Sequence, residues 1–286
     1  MSDSAQSTES DRYTVPGLER GLRMLAEFSR REPVLTAPEL ARRLGAPRST
    51  IFRLLMTLEQ MGYVERTSDG RAYRLGLAVL RLGFEYLGSL GMVELGRPIL
   101  ERIRDETGFG TSLVVRDGRE VVFVLRAVPH SPFASTVSIG TRLPAHATVL
   151  GHALLSDQSL AQLRALYPDA ELPARSAQTP TDATVLFEAV QQVRTRGHVI
   201  SDGFYEAHIS TVAAPVFGEG NHVVAAIGLN VPGGRVPDEQ RSRLVAAVRG
   251  AAAELSSLLN YAEDPGPGLS DEAERPRALA LKRRQA

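Results

Sequence analysis

The stretch from Thr36 to Arg66, TAPELARRLGAPRSTIFRLLMTLEQMGYVER, leaves a folding chain few choices. Thr36 and Glu39 stand in the T-x-x-E spacing of a capping box, Pro38 sits in the first turn, and Gly45 stops a helix of about nine residues. After a very short turn, Pro47 opens a second helical pattern that runs to Gly62. Within it Ile51, Leu54, Leu55, Leu58 and Met61 recur at helical spacing, so they form one stripe and are expected to face a core. Ser49, Thr50, Arg53, Thr57 and Gln60 then point the other way, with Arg48 at the helix start.

The flanks complete a small domain. VPGLERGLRMLAEFSRRE reads as a preceding helix with Leu18, Leu22, Leu25 and Phe28 on one stripe. YVERTSDGRAYRLG reads as two short strands around an Asp69-Gly70 turn. Three helices and a hairpin make a winged helix-turn-helix over residues 13–76, behind a polar tail of residues 1–12 expected to be disordered. The pattern over residues 77–91, interrupted by Gly83 and Gly88, suits a connecting or dimerising helix.

Net charge is zero over the whole chain, yet residues 12–81 hold thirteen arginines against seven acids, while residues 92–262 hold fifteen against seventeen. A basic first domain beside a slightly acidic second one is the asymmetry expected when only the first meets nucleic acid. On a lone amphipathic helix a polar face is simply solvated. Here the capped helix, the tight turn, the Pro-Arg-Ser-Thr start, the hairpin and the local charge agree on double-stranded DNA. Arg48, Ser49, Thr50, Arg53 and Thr57 are the expected groove residues. Arg42, Arg43, Arg66, Arg71 and Arg74 are placed for phosphate.

Residues 92–262 read as a second domain: a helix, two strand-like runs around Asp117-Gly118, a short apolar helix, two further helices, three more strands and a long closing helix. Strands bracketed by helices without regular alternation favour an α+β sensor-like sheet over a doubly wound one. Residues 263–286 have the Pro, Gly and charge content of a disordered tail.

Other classes fall away. The chain has no cysteine, so thiolate nucleophiles, disulfides and cysteine-based metal sites are excluded. No run of about 18 apolar residues is present, and a polar, acidic start is unlike a signal peptide, so a cytoplasmic protein without membrane contact is expected. His146 and His152, six apart, fall on opposite faces of a regular helix. Glu206 with His208 is too little for a catalytic set, and no G-x-S-x-G elbow occurs. Neither enzymatic activity nor a metal or other cofactor is expected. The rival reading is a ligand-sensing protein that acts mainly through protein contacts.

VPGLERGLRML, LTAPELARRLGAPRSTIFRLLMTLEQMGYVER and YRLGLAVLRLG in front, with RLPAHATVLGHALL and VAAPVFGEGNHVVAAIGLNVP behind, resemble the IclR family of bacterial transcription regulators from Val15 to Ala262. The resemblance implies a winged helix-turn-helix, a linker helix and a GAF/PAS-like effector-binding domain. It implies dimers, or tetramers built as dimers of dimers, that repress or activate at palindromic promoter sites. Carried over by position, it places an effector pocket at Ser135, Leu143, Leu150, Ser201, Ile209, Thr211, Gly228 and Asn230. Ser201 and Gly203 stand where relatives often carry acids, and His208 where Gly is common. IGTRLPAHATVLGHALL is most similar to the branch governing aromatic-acid and β-ketoadipate catabolism, which implies a small carboxylate effector met by Arg142 and His146. A small keto acid such as glyoxylate or pyruvate is the alternative.

Overall fold

The computed structural model describes residues 14–29, 31–129, 137–169 and 171–263, and divides into two compact units between Leu90 and Gly91. The expected terminal tails, residues 1–12 and nearly all of 263–286, lie outside the described residues.

In the first unit, α1 (Pro16–Ala26), α2 (Ala37–Leu44) and α3 (Arg48–Gln60) pack with a three-stranded antiparallel sheet of β1 (Leu35–Thr36), β2 (Val64–Arg66) and β3 (Ala72–Leu75), ordered β1-β3-β2. The hairpin forms around Gly70 at φ 69°, as expected, but β1 adds a strand that two residues were too few to signal. Thr36 ends β1 and also caps α2, its Oγ1 accepting from the Glu39 amide at 3.4 Å. The box is only half made, because the Glu39 carboxylate instead takes the Arg43 guanidinium at 2.7 Å. Gly45 ends α2 in the left-handed region at φ 58°, and its freedom of rotation turns the chain directly into α3.

Met24, Phe28, Leu35, Leu40, Ile51, Leu55, Val64 and Tyr73 form the core, with Leu25, Leu54 and Leu58 packed against it. Two sequence expectations are corrected here. In α1 the buried residues are Gly21 and Met24, and Leu25 and Phe28, the latter just past the helix end, pack into the core as expected, while Leu18 and Leu22 stay exposed. In α3 the stripe ends at Leu58, because Met61 lies past the last helical turn and is exposed. Next, α4 (Ala78–Ser89) buries no residue within its unit and exposes Leu80, Leu82, Phe84 and Tyr86.

The second unit is a six-stranded antiparallel sheet in the order β6-β5-β4-β9-β8-β7. The strands are β4 (Gly110–Asp117), β5 (Glu120–Ala127), β6 (Arg142–Pro144), β7 (Val199–Asp202), β8 (Ile209–Phe217) and β9 (Val223–Pro232). One face is covered by α5 (Gly91–Thr107) and the closing helix α9 (Asp238–Glu263), where Leu113, Leu125 and Leu255 crowd around Gly96. The other face carries α6 (Val149–Leu154), α7 (Leu160–Leu166) and α8 (Ala183–Arg196) over a core that includes Val114, Phe123, Leu150, Leu154, Leu186 and Val190. Alternation along β4 sends Leu113 to the first face and Ser112 to the second, so both faces are buried and the strands read as apolar runs. This is the α+β architecture expected.

Candidate functional site

The exposed face of α3 is a continuous stripe: Ser49, Phe52, Arg53, Met56, Thr57 and Gln60, with Arg48 at its start. Thr50 is half-buried. Arg48 and Arg53 form no ion pair among the described residues. Thr57 donates to the Arg53 carbonyl at 3.0 Å, which leaves its oxygen free to accept. Phe52 and Met56 were missed by the polar-face reading. Their signal was their spacing, three and seven residues after Ser49, which puts two apolar side chains on the face that should be polar.

The expected phosphate-binding arginines separate into two groups. Arg42 is largely exposed, 3.8 Å from Glu39, and the Arg71 side chain is exposed at the tip of the wing. Arg43 instead braces three acids, reaching Glu32 and Glu39 at 2.7 Å each and Glu27 at 3.6 Å. Its side-chain hydrogen bond holds the Glu32 carboxyl below the usual carboxylate range. Arg66 is pinned to Glu59 at 3.1 Å and lies over the Tyr73 ring, and Arg74 pairs with Glu65 at 2.9 Å.

In the second unit α6 and the segment around Phe204 roof a cavity of about 490 Å³, counting the space at its mouth. Leu143, Leu150, Ile209, Thr211 and Asn230 line it, five of the residues expected there. Phe123, Val137, Thr148, Val149, Phe204, Tyr205 and Glu206 complete the wall. Thr211 and Asn230 face each other across β8 and β9, and the Thr211 hydroxyl donates to Asn230 Oδ1 at 3.0 Å. That bond turns the amide nitrogen of Asn230 into the remaining donor of the pair. Thr148 caps α6, donating to the Pro144 carbonyl and accepting from the Gly151 amide. Among the described residues the lining holds one carboxylate, Glu206, and no Lys, Arg or His.

The other expected residues are placed differently. Ser135 lies outside the described residues. Gly228 sits beneath Leu150 and gives it room rather than lining the cavity. Arg142 is corrected: strand alternation points Leu143 inward, and the exposed Arg142 pairs with Asp117 and with Glu120 at 2.6 Å. His146 is buried, contacts the Pro173 carbonyl at 3.0 Å through Nε2 and stands edge-on to Tyr167, so it closes the loop and does not line the cavity. Ser201 donates to Gln178 Oε1 at 3.0 Å in an adjoining cavity. The backbone is extended at Thr148, so His146 and His152 are not on one helix, and His152 Nε2 reaches the His146 carbonyl at 2.9 Å.

A winged helix-turn-helix on the same chain as a sheet domain with a small-molecule cavity defines a ligand-responsive transcriptional regulator. Residues 17–68 match the IclR helix-turn-helix domain and residues 84–257 the C-terminal domain of bacterial IclR transcriptional regulators. The chain belongs to the IclR family. It is 32% identical over 256 residues to the Pca regulon regulatory protein of Pseudomonas putida, covering 89% of this chain and 87% of that protein. It is also 32% identical to the HTH-type transcriptional regulator BhcR of Paracoccus denitrificans, over 81% of this chain and 83% of that one. An IclR homolog from Microbacterium hydrocarbonoxydans complexed with 4-hydroxybenzoate superimposes with TM-score 0.75 at 27% identity, covering 85% of this chain and 98% of that one. The named relatives are regulators, not enzymes. No helix among the described residues is long and apolar enough to cross a membrane.

Proposed function

We propose that this protein binds palindromic promoter DNA in the cytoplasm as a homodimer or a dimer of dimers, and that an aromatic acid or its catabolite controls that binding. The cavity carries the effector half of this reading: Phe123, Leu143, Leu150 and Ile209 form an apolar slot for a ring, and Thr211, Asn230 and Thr148 supply the polar end. With no cation in the described lining, a carboxylate there is met by the Asn230 amide nitrogen, since the Thr211 and Thr148 hydroxyl protons are given to Asn230 Oδ1 and the Pro144 carbonyl. The likeness to the Pca regulon regulator and to the 4-hydroxybenzoate complex supports the aromatic class.

The DNA half rests on the exposed α3 stripe with Arg48, Arg53, Arg42 and Arg71 beside it. Exposed Leu18 and Leu22 on α1 and Leu80 and Phe84 on α4 are apolar surface of the kind a second subunit covers, and a two-fold dimer reads a palindrome. Fluorescence anisotropy of the promoter region, with and without 4-hydroxybenzoate, tests both halves. Sequence-preferring binding that 4-hydroxybenzoate shifts is the expected result. A response to glyoxylate or pyruvate alone would replace the aromatic class by small keto acids, and absence of sequence preference would favour a sensor acting through protein contacts.

A further inference from the structure

Beside the first cavity lies a second, of about 720 Å³ including its mouth, between α8, β7 and the loop at Gln178. Phe204 lines both, so one aromatic side chain belongs to the walls of two compartments. Their charge is opposite. The first has Glu206 and no cation, whereas the second has the cation Arg196, the imidazoles of His152 and His198, and no acid among the described residues that line it. Arg196 is exposed in the last turn of α8 and forms no ion pair among the described residues. Arg249 adds a further positive charge nearby, since its guanidinium packs where a Cβ on Gly197 would stand, 3.4 Å from Nε.

Neutral groups supply the rest. His152 is 4% exposed and edge-on to Phe204 at 5.1 Å. Because its Nε2 meets a carbonyl at 2.9 Å, that nitrogen carries the proton, and Nδ1 of the neutral ring is an acceptor. Gln192 and Ser201 are additional polar lining, while Val185 and Phe204 give apolar contact. Arg249 packs at Gly197 without lining the cavity, so the wall itself offers one guanidinium and a neutral imidazole acceptor, which match a single negative charge next to a donor group and leave a doubly charged phosphate half-compensated.

We propose that this second cavity binds a small carboxylate bearing a hydroxyl, with Arg196 meeting the carboxylate and His152 accepting from the hydroxyl, at a site separate from the aromatic cavity but sharing Phe204 with it. L-lactate is a suitable probe, titrated into the full chain by calorimetry and by imidazole nitrogen-proton correlation spectra of its six histidines. Lactate is expected to shift the His152 and His198 signals saturably, and Arg196→Gln to weaken its binding by about tenfold or more. Thr211→Val in the first cavity is expected to leave lactate binding intact, and inorganic phosphate to move neither histidine. The proposal is overturned by the absence of saturable shifts, by equal binding to Arg196→Gln, by loss with Thr211→Val, or by phosphate acting as lactate does. Titrating 4-hydroxybenzoate into Arg196→Gln and Thr211→Val keeps the two sites distinguishable: binding weakened only in Thr211→Val is expected. Loss only in Arg196→Gln would move the aromatic acid to the second cavity and count against the first-cavity reading, while saturable lactate shifts test the second cavity.

Discussion

Gly228 on β9 and Leu150 on α6 approach so closely that a Cβ on residue 228 would lie 2.4 Å from Leu150 Cδ2. The missing side chain is what lets α6 settle on the sheet and Leu150 form the cavity wall. Gly228→Ala forces Leu150 off its rotamer or lifts α6. The expected outcome is a loss of about 1–3 kcal/mol in the stability of the second unit. Affinity for 4-hydroxybenzoate should fall with it, while DNA binding without effector is retained. Urea denaturation and calorimetry read the two effects, and native ligand affinity in this variant would mean that the ligand does not touch the Leu150 wall.

On α3, Phe52 and Met56 are 53% and 43% exposed, in line with Ser49 and Arg53. Large apolar side chains on a groove-facing helix match the thymine methyl. Phe52→Ala is therefore expected to cost about 1 kcal/mol at the contacted base pair, the order of one buried methyl contact, and to relax preference there. Arg71→Ala at the wing should instead weaken all sequences alike and lower the salt slope by about one unit. Anisotropy over a salt series, with single-base operator changes, separates the two. Unchanged base preference in Phe52→Ala would remove Phe52 from the reading face.

Burial pushes the His152 imidazole down from 6.5 to about 4, with His146 nearby adding a smaller electrostatic push in the same direction. The unfolded chain takes up a proton near pH 6.5, while the folded one holds out to about 4. Stability contributed by the neutral ring is thus fully present above pH 6.5 and lost progressively as pH falls toward 4. The total is on the order of 3 kcal/mol. Glu32, lowered from 4.5 by its hydrogen bond to Arg43, and Asp182, lowered from 3.8 by amide hydrogen bonds, lose their contributions only toward the acid end, so the upper part of the window, from about pH 5 to 6.5, belongs to the histidine. Denaturation midpoints across that window should slope in the native chain and flatten in His152→Gln, whose amide still reaches the His146 carbonyl. Equal slopes would sink this assignment.

What the sequence made legible was set by local chemistry. Gly45, Gly70 and Gly118 punctuate turns, and each has a positive φ where the chain reverses. Orientation was harder to read. In α1 periodicity does not tell the face of Gly21 and Met24 from that of Leu18 and Leu22; only packing against Leu54 decides. In the cavity, Thr211 and Asn230 were found because each sits in a stretch with a family pattern. Phe123 and Phe204 belong to strands and loops far apart in the chain, and nothing local marks them as neighbours. Arg43 and Arg66 looked like free cations because the acids that bind them, Glu32 and Glu59, lie 11 and 7 residues away.

Arg142 is the sharpest case. From sequence it was the natural partner of a carboxylate, yet it sits on the edge strand β6 between Asp117 and Glu120, whose side-chain hydrogen bonds raise its already high pKa. An arginine held by two acids brings little net positive charge to a ligand, and its neighbour Leu143 is the one that lines the cavity. Arg142→Gln is therefore expected to change 4-hydroxybenzoate affinity less than about twofold, because it removes only an exposed ion pair. Thr211→Val, by contrast, removes the donor that orients Asn230 and should cost about tenfold, the weight of one well-placed hydrogen bond in a shielded site. Calorimetry on both variants checks the contrast directly. Loss of binding in Arg142→Gln with native binding in Thr211→Val would move the carboxylate to the edge strand.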